Sequence, residues 1–181
     1  MAVRLKETYD KTVVPEMMKR FGIRNALGVP RLKKIVVNTG VGRAIQDSKL
    51  LEEAAKALGA ITGQKAVTCA ARRSIAGFRL REGMAIGCKV TLRGQRMYEF
   101  LDRIVSIVLP RIRDFRGLPP NALDGFGNYS LGIEEHAVFP EVNMDDFENI
   151  FGVGITLCIS GRNNEQSLEM LRLLGLPFRP S

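Results

Sequence analysis

The sequence is poor in the residues that chemistry at an active site requires. Histidine occurs once, as His136, so histidine-based metal sites and His-paired nucleophiles have almost no material. A surface or loop position is expected for it. The three cysteines, Cys69, Cys88 and Cys158, stand 19 and 70 residues apart, which matches no clustered metal-ligand spacing and leaves an odd thiol if two were to pair. Buried, reduced side chains are expected, because a free thiol packs as a small hydrophobe. Uncharged stretches fall well short of the roughly 20 apolar residues of a membrane span. The amino-terminal run MAVRLKETYDK lacks a signal peptide's apolar core, so a cytoplasmic protein is expected. No Pro/Gly/Ser-rich linker divides the 181 residues, nothing repeats at a fixed period, and 45% hydrophobic composition supports a substantial core. One domain over 1–181 is the reading.

One further scarcity is local. No Lys or Arg occurs between Arg116 and Arg162, while seven carboxylates do. Up to Arg116 the chain carries 24 Lys and Arg against 10 Asp and Glu; from Gly117 onward it carries 3 against 9. Such asymmetry points to two surfaces with different partners. The carboxylates Glu134 and Glu135, and Asp145 and Asp146, are adjacent in pairs, which suits a solvated surface better than an acid/base pair. Catalysis, a metal and a cofactor are therefore not expected.

Periodicity supplies the elements. Arg4 to Phe21 reads as an amphipathic helix interrupted or restarted at Pro15, and Gly22 to Pro30 as a loop. Lys34 to Asn38 reads as a β-branched strand. Asp47 or Ser48 caps a helix whose Leu50, Leu51, Ala54, Ala55, Leu58 and Ile61 follow the 3.6 period to about Gly63. After an extended piece at Ala66 to Cys69, the run Cys88 to Arg93 alternates, burying Cys88, Val90 and Leu92 and presenting Lys89, Thr91 and Arg93. Met97, Phe100, Leu101, Ile104, Val105 and Val108 mark a core-facing helix stopped by Pro110. A polar loop from Arg111 to Asn128 precedes strands at Tyr129 to Ile133 and Gly154 to Ile159. Asp145 and Asp146 begin a short helix between those strands, and a last helix runs from about Glu165 to Leu174. The rhythm is not βαβ. It implies an α+β fold, a two-layer domain with a mainly antiparallel sheet packed against helices on one face.

Three motifs carry possible chemistry. Gly40-Val41-Gly42 after a strand superficially matches the start of a dinucleotide fingerprint, but Ile45 stands where the third glycine belongs. A tight turn or a close approach is the plainer reading. Arg72, Arg73, Arg79 and Arg81 place four arginines in ten residues around Gly77 and Phe78, with no acid. Guanidinium groups grip phosphate bidentately and stack on bases, so this basic loop, protruding over 71–86, suits RNA. Arg111, Arg113 and Arg116 surround Ile112 and Phe115, and either contact RNA or pin the loop to the core, with Asp114 open to pairing with a neighbouring arginine. Asn38 and Thr91 are polar residues in apolar strands; alongside Lys89 and Arg93 they can bond sugar hydroxyls or phosphates, or be satisfied locally.

The motifs IVVNTGVG (35–42), ITGQK (61–65), GCKVTLRG (87–94), LPRIRDFRGL (109–118), DGFGNY (124–129) and LPFR (176–179) closely resemble the bacterial family of large-subunit ribosomal protein five, in order and over essentially the whole chain. The resemblance implies a structural protein, not an enzyme, that attaches 5S rRNA to the large subunit in the central protuberance, among neighbouring 5S-associated proteins and large-subunit rRNA. It implies 5S contacts at Asn38, Gln64 and Thr91, and a loop from Arg72 to Gly83 that reaches the elbow of the P-site tRNA. It further implies a bridge to small-subunit head protein thirteen through Glu134, Glu135, Glu141, Asp145, Asp146 and Glu148. Departures from the family pattern are Ala66, Ala70, Ala85, Phe126 and Glu134. The competing readings are a nucleotide-dependent enzyme and a free-standing RNA chaperone or regulator.

Overall fold

A computed structural model describes residues 3–45, 47–143, 147, 149–161 and 163–179. In chain order its longer elements are α1 (Arg4–Thr8), α2 (Val14–Phe21), β1 (Leu32–Gly40), α3 (Lys49–Thr62), β2 (Val67–Ala70), β3 (Ala85–Leu92), α4 (Gly94–Arg103), α5 (Leu109–Arg111), β4 (Tyr129–Ile133), β5 (Val153–Ile159) and α6 (Asn164–Leu173). The strands form one sheet in the order β2-β3-β1-β5-β4. β2 runs antiparallel to β3, with Val67 opposite Lys89 and Cys69 opposite Gly87. The α+β class and antiparallel sheet agree with the sequence reading. The short helix expected at Asp145 and Asp146 falls outside the described residues.

Two helices deal with proline in the same way. α1 does not break at Pro15: a π-helical turn, Tyr9–Val13, joins it to α2, and the Val14 N–H donates to the carbonyl of Tyr9. A second π turn, Ile104–Val108, joins α4 to α5, where the Leu109 N–H donates to Ile104 and Pro110 sits inside the last turn. Proline has no N–H to donate and its ring crowds the carbonyl four residues back. Widening the preceding turn by one residue relieves that crowding, so the helix passes its proline instead of stopping there.

Contacts divide the chain into two compact units, each discontinuous in sequence. One comprises Leu92–Leu131 with the residues before Val36 and after Ile155. Its core gathers Tyr9, Val13 and Met17, then Phe100, Leu101 and Ile104, with Tyr129, Leu157 and Leu171. Each such large apolar side chain contributes about 1.5–3 kcal/mol on burial. Arg20 ion-pairs with Glu169 of α6, which Arg172 also approaches at 3.7 Å, so the nearly buried carboxylate is matched. The carboxyl-terminal segment closes on the loop after α5: Leu118 N–H donates to Pro177 at 2.7 Å and Arg179 Nε to Gly117 at 2.8 Å. Gly117, at φ 94°, has no room for a Cβ there, which would lie 3.0 Å from the Arg179 nitrogen.

The other unit holds Val36–Thr91 and Gly132–Ile155. Helix α3 starts where Asp47 accepts from the Lys49 N–H at 2.9 Å, so Asp47 and not Ser48 supplies the cap, and ends at left-handed Gly63. Its Ala54, Ala57, Leu58 and Ile61 are buried, with Cys88, Val90, Ile133 and Ile155 in the same core. Of the cysteines only Cys88 is fully buried; Cys69 and Cys158 are half-buried, and all three are free. Burial pushes the Cys88 thiol pKa up.

His136 overturns its surface expectation. It lies in a short turn, His136–Val138, but is fully buried, stacked on Phe151 at 4.0 Å and edge-on to Phe147 at 5.6 Å. Its Nδ1 accepts from the Phe151 N–H at 3.4 Å, while Nε2 has no hydrogen-bond partner among the described residues. Flanking Glu134, Glu135 and His136 make the segment read as polar, but the turn places the imidazole inward as an aromatic. Burial lowers its pKa below 6.5. The unfolded chain therefore binds the proton more readily than the folded one. Stability falls as pH drops through about 6.5, the ordinary value, and levels off once the pH lies below the folded pKa. Thermal melts at steps between pH 8 and pH 5 should show this loss, and His136→Phe should flatten it; an equally steep loss in the variant would assign the effect elsewhere.

Candidate nucleic-acid interface

Alternation builds the candidate surface in the second unit. Val37 and Thr39 of β1 and Cys88, Val90 and Leu92 of β3 are buried, so Asn38, Lys89 and Thr91 point to the opposite face. Asn38 and Lys89 are exposed and Thr91 half-buried. Gln64 follows the Gly63 cap of α3, and its Nε2 donates to the Thr91 carbonyl at 3.5 Å. The end of α3 and the end of β3 thus bring Gln64 and Thr91 together. Lys89 makes no ion pair among the described residues.

The sequence reading missed the floor beneath these groups. Gly40, Gly132 and Gly154 alternate with buried strand residues and lie on the exposed or half-exposed side. A Cβ on Gly154 would lie 2.9 Å from the Asn38 Oδ1, so the missing side chain lets the Asn38 amide lie across β5. A Cβ on Gly87 would lie 2.6 Å from the Thr39 carbonyl oxygen, which ties that glycine to strand packing. Glycine inside a strand marks close approach by another backbone or ligand, and that signal was available in Val153-Gly154-Ile155 and Leu131-Gly132-Ile133.

The arginine loop joins β2 to β3. It is a hairpin whose Ile75 and Leu80 form an antiparallel bridge, with N–H to carbonyl distances of 2.9 and 3.1 Å. A 3-10 turn, Ala76–Phe78, leads into Arg79 at φ 52°, and the Ser74 hydroxyl accepts from the Glu82 N–H at 2.9 Å. Arg72, Arg73, Arg79 and Arg81 are all exposed, and among the described residues none forms an ion pair. Ile75 and Phe78 stand exposed between them, Phe78 by 73%. Unpaired guanidinium groups interleaved with one aromatic ring and one aliphatic side chain suit phosphates and bases together.

The glycines of the Gly40-Val41-Gly42 motif serve a strand end and a 3-10 turn, Gly42–Ile45, neither in a left-handed conformation. The carboxylate of Asp47 already occupies the start of α3, where a phosphate would have to bind. The dinucleotide reading ends there.

In the first unit Arg93 is exposed at the start of α4, and Arg111, Arg113 and Arg116 are exposed beyond it. Asp114, at φ 53°, pairs with none of these arginines among the described residues. Ile112 and Phe115 are half-buried and anchor that loop. In the second unit Glu134 and Glu135 are exposed, Glu141 is half-buried, and Asp145, Asp146 and Glu148 lie outside the described residues. No group of three or more His, Cys, Asp or Glu that could hold a metal occurs among the described residues, and none of their helices is long and apolar enough to cross a membrane.

Comparison with known proteins gives a consistent result. Family profiles match over residues 25–81, described as "Ribosomal protein L5", and over residues 85–178, described as "ribosomal L5P family C-terminus". The chain is 53% identical over 176 residues to the large ribosomal subunit protein uL5 of Syntrophomonas wolfei, covering 97% of this chain and 99% of the relative. It is 55% identical over 179 residues to that of Anaeromyxobacter sp. (strain K), covering 99% of each, and 52% identical over 178 residues to that of Rubrobacter xylanophilus, covering 98% and 99%. With both profiles matched in order and the identity spread over nearly its full length, the chain belongs to the uL5 family of large-subunit ribosomal proteins.

Proposed function

We propose that this chain, a structural constituent of the large ribosomal subunit and not an enzyme, seats 5S rRNA on the uncovered face of β1 and β3. It thereby attaches that RNA to large-subunit rRNA in the central protuberance, beside the other 5S-associated proteins, as a cytoplasmic, ribosome-bound protein. The observation that carries this reading is the grouping of Asn38, Lys89 and Thr91 on one side of two strands, above glycines that keep the surface low. An amide, a hydroxyl and an ammonium group read sugar hydroxyls and phosphates, the features exposed on an A-form RNA helix. Gln64, held beside Thr91, extends the same surface, and Arg93 adds a phosphate contact beyond β3.

The hairpin carrying Arg72, Arg73, Arg79 and Arg81 contacts the P-site tRNA. A backbone closed by the Ile75 and Leu80 bridge presents its cations with part of the ordering cost already met. Arg111, Arg113 and Arg116 serve large-subunit rRNA or fix their own loop. The acidic stretch with Glu134, Glu135, Asp145, Asp146 and Glu148 faces the small-subunit head protein thirteen as an intersubunit bridge. Carboxylates repel rRNA and attract a basic protein through screened, exchangeable contacts.

Four tests bear on this reading. In a competition gel shift at two salt concentrations, the chain should prefer 5S rRNA over tRNA and random RNA, with affinity falling as salt rises. The double variant Asn38→Ala with Thr91→Ala should lose that preference while its circular dichroism and melting profile stay unchanged; retained preference would move the site off the sheet. Replacing Arg72, Arg73, Arg79 and Arg81 by Gln should spare 5S binding yet weaken retention of P-site tRNA by assembled ribosomes, and normal retention would refute the loop assignment. Reversing Asp145, Asp146 and Glu148 to Lys should weaken subunit joining in sucrose gradients without changing 5S affinity; unaltered joining would remove the bridge.

A further inference from the structure

The hairpin from Ala122 to Ser130 holds its tip in a fixed shape. At its base Leu123 bridges Tyr129, and the Ser130 N–H donates to the Ala122 carbonyl at 3.1 Å. Inside, the Asp124 carboxylate accepts from the N–H of Phe126 at 2.9 Å, the N–H of Asn128 at 3.0 Å and the Asn128 side-chain amide at 2.6 Å. Gly125 and Gly127 take φ of 84° and 85°, a region glycine enters without strain. The Gly127 N–H donates to Asn164 of α6 at 3.1 Å, and a Cβ on Gly127 would lie 2.5 Å from the Ser167 hydroxyl oxygen. Asn128 in turn accepts from the Ile159 N–H of β5 at 3.0 Å. Two carboxylate oxygens, two glycines and two neighbouring elements thus fix a five-residue loop.

What this loop presents is Phe126, 77% exposed. Turns ordinarily carry small polar residues, and singly exposed apolar side chains are common enough to need no explanation. A phenyl ring on a backbone held at this many points is different, because a partner that covers it has little left to order. The net charge of the unit that carries it favours one class of partner. The unit that contains Phe126 carries 18 Lys and Arg against 9 Asp and Glu. Arg111, Arg113 and Arg116, in the same unit, are exposed and form no ion pair among the described residues. A basic protein would be repelled, whereas RNA offers phosphates to the cations and a planar, uncharged base to the ring. We propose that Phe126 is a nucleobase-stacking residue, covered by an unpaired base of the RNA in the assembled large subunit. The proposal rests on membership of a ribosomal family and is independent of the 5S contacts on the sheet.

Ultraviolet cross-linking of assembled large subunits, followed by mass spectrometry of the chain's peptides, tests it directly. A nucleotide adduct on Phe126 is expected. A cross-link from Phe126 to a protein, or a bare Phe126 while other peptides of the chain carry nucleotides, would overturn it. Filter binding of the purified chain to large-subunit rRNA and to 5S rRNA across a salt series supplies the energetics. Phe126→Ala should weaken binding to one of these RNAs about tenfold with the salt slope unchanged, since stacking releases no counterions. Phe126→Trp should keep the affinity, and Phe126→Arg should steepen the slope by about one, as an added phosphate contact does. Equal affinities of the wild type and Phe126→Ala for both RNAs would also overturn the proposal. Failure of the Asn38 and Thr91 variant alone would count against the sheet site and leave Phe126 untouched.

Discussion

A pleated strand has two faces, and in this chain the core uses only one of them. Along β3 the buried Cys88, Val90 and Leu92 alternate with Lys89 and Thr91, and along β1 Val37 and Thr39 flank Asn38. Period-two geometry leaves no third option: a residue that does not enter the core faces the opposite side. A chain that lines that opposite side with glycine, threonine, asparagine and lysine gives up apolar area there. It gains a low, hydrogen-bonding surface that an RNA backbone can approach. The same alternation carries Gly132 in β4 and Gly154 in β5, where a side chain on Gly154 would displace the Asn38 amide. Stability and the proposed recognition thus depend on a single registration of side chains, and a one-residue slip would exchange them.

Charge is organised by the fold and not by position along the chain. Read in order, the first 116 residues are strongly basic and the remainder acidic. Grouped by compact unit, the basic excess belongs to the unit containing the terminal helices, with 18 Lys and Arg against 9 carboxylates, while the other unit carries 9 against 10. That second unit contains the arginine hairpin, the polar sheet residues and the whole acidic stretch from Glu134 to Glu148. The proposed RNA-binding and protein-binding stretches therefore fall within one unit, whose near-neutral total conceals a basic and an acidic run of sequence.

Much of this was legible because it depends on local pattern. The alternation of β3, the apolar stripes of α3 and α4, and the glycine that ends α3 are rules of period and backbone freedom that any sequence displays. The misreadings share a cause in geometry beyond the local pattern. Pro15 and Pro110 read as breaks because an α-helix cannot continue past them unaltered; a π turn before each one changes the spacing, and residue type alone does not announce it. His136 reads as a surface or loop residue; it does lie in a turn, yet Phe147 and Phe151, more than ten residues away, come back to enclose it. Among the candidate RNA contacts, Gln64 and Thr91 are 27 residues apart and meet only because the end of α3 lies beside the end of β3.

The treatment of exposed cations and rings follows from the same economy of covering. Within the chain, carboxylates that approach burial find partners: Glu169 meets Arg20 and Arg172, and Asp102 meets Arg4 at 2.5 Å. The arginines of the β2 to β3 hairpin do not, although Glu82 lies in the same loop. An exposed ion pair contributes little to stability, so leaving these guanidinium groups unpaired costs the fold almost nothing. It keeps their donors available for phosphate, where charge-assisted, bidentate bonds are strong and counterion release adds to affinity. The exposed rings of Phe78 and Phe126 obey the complementary rule, since water covers an aromatic face poorly and a base covers it well. A fold that pairs Arg4, Arg20 and Arg172 with its own carboxylates yet leaves the hairpin arginines unpaired and the rings of Phe78 and Phe126 exposed has surface whose best complement is both anionic and aromatic.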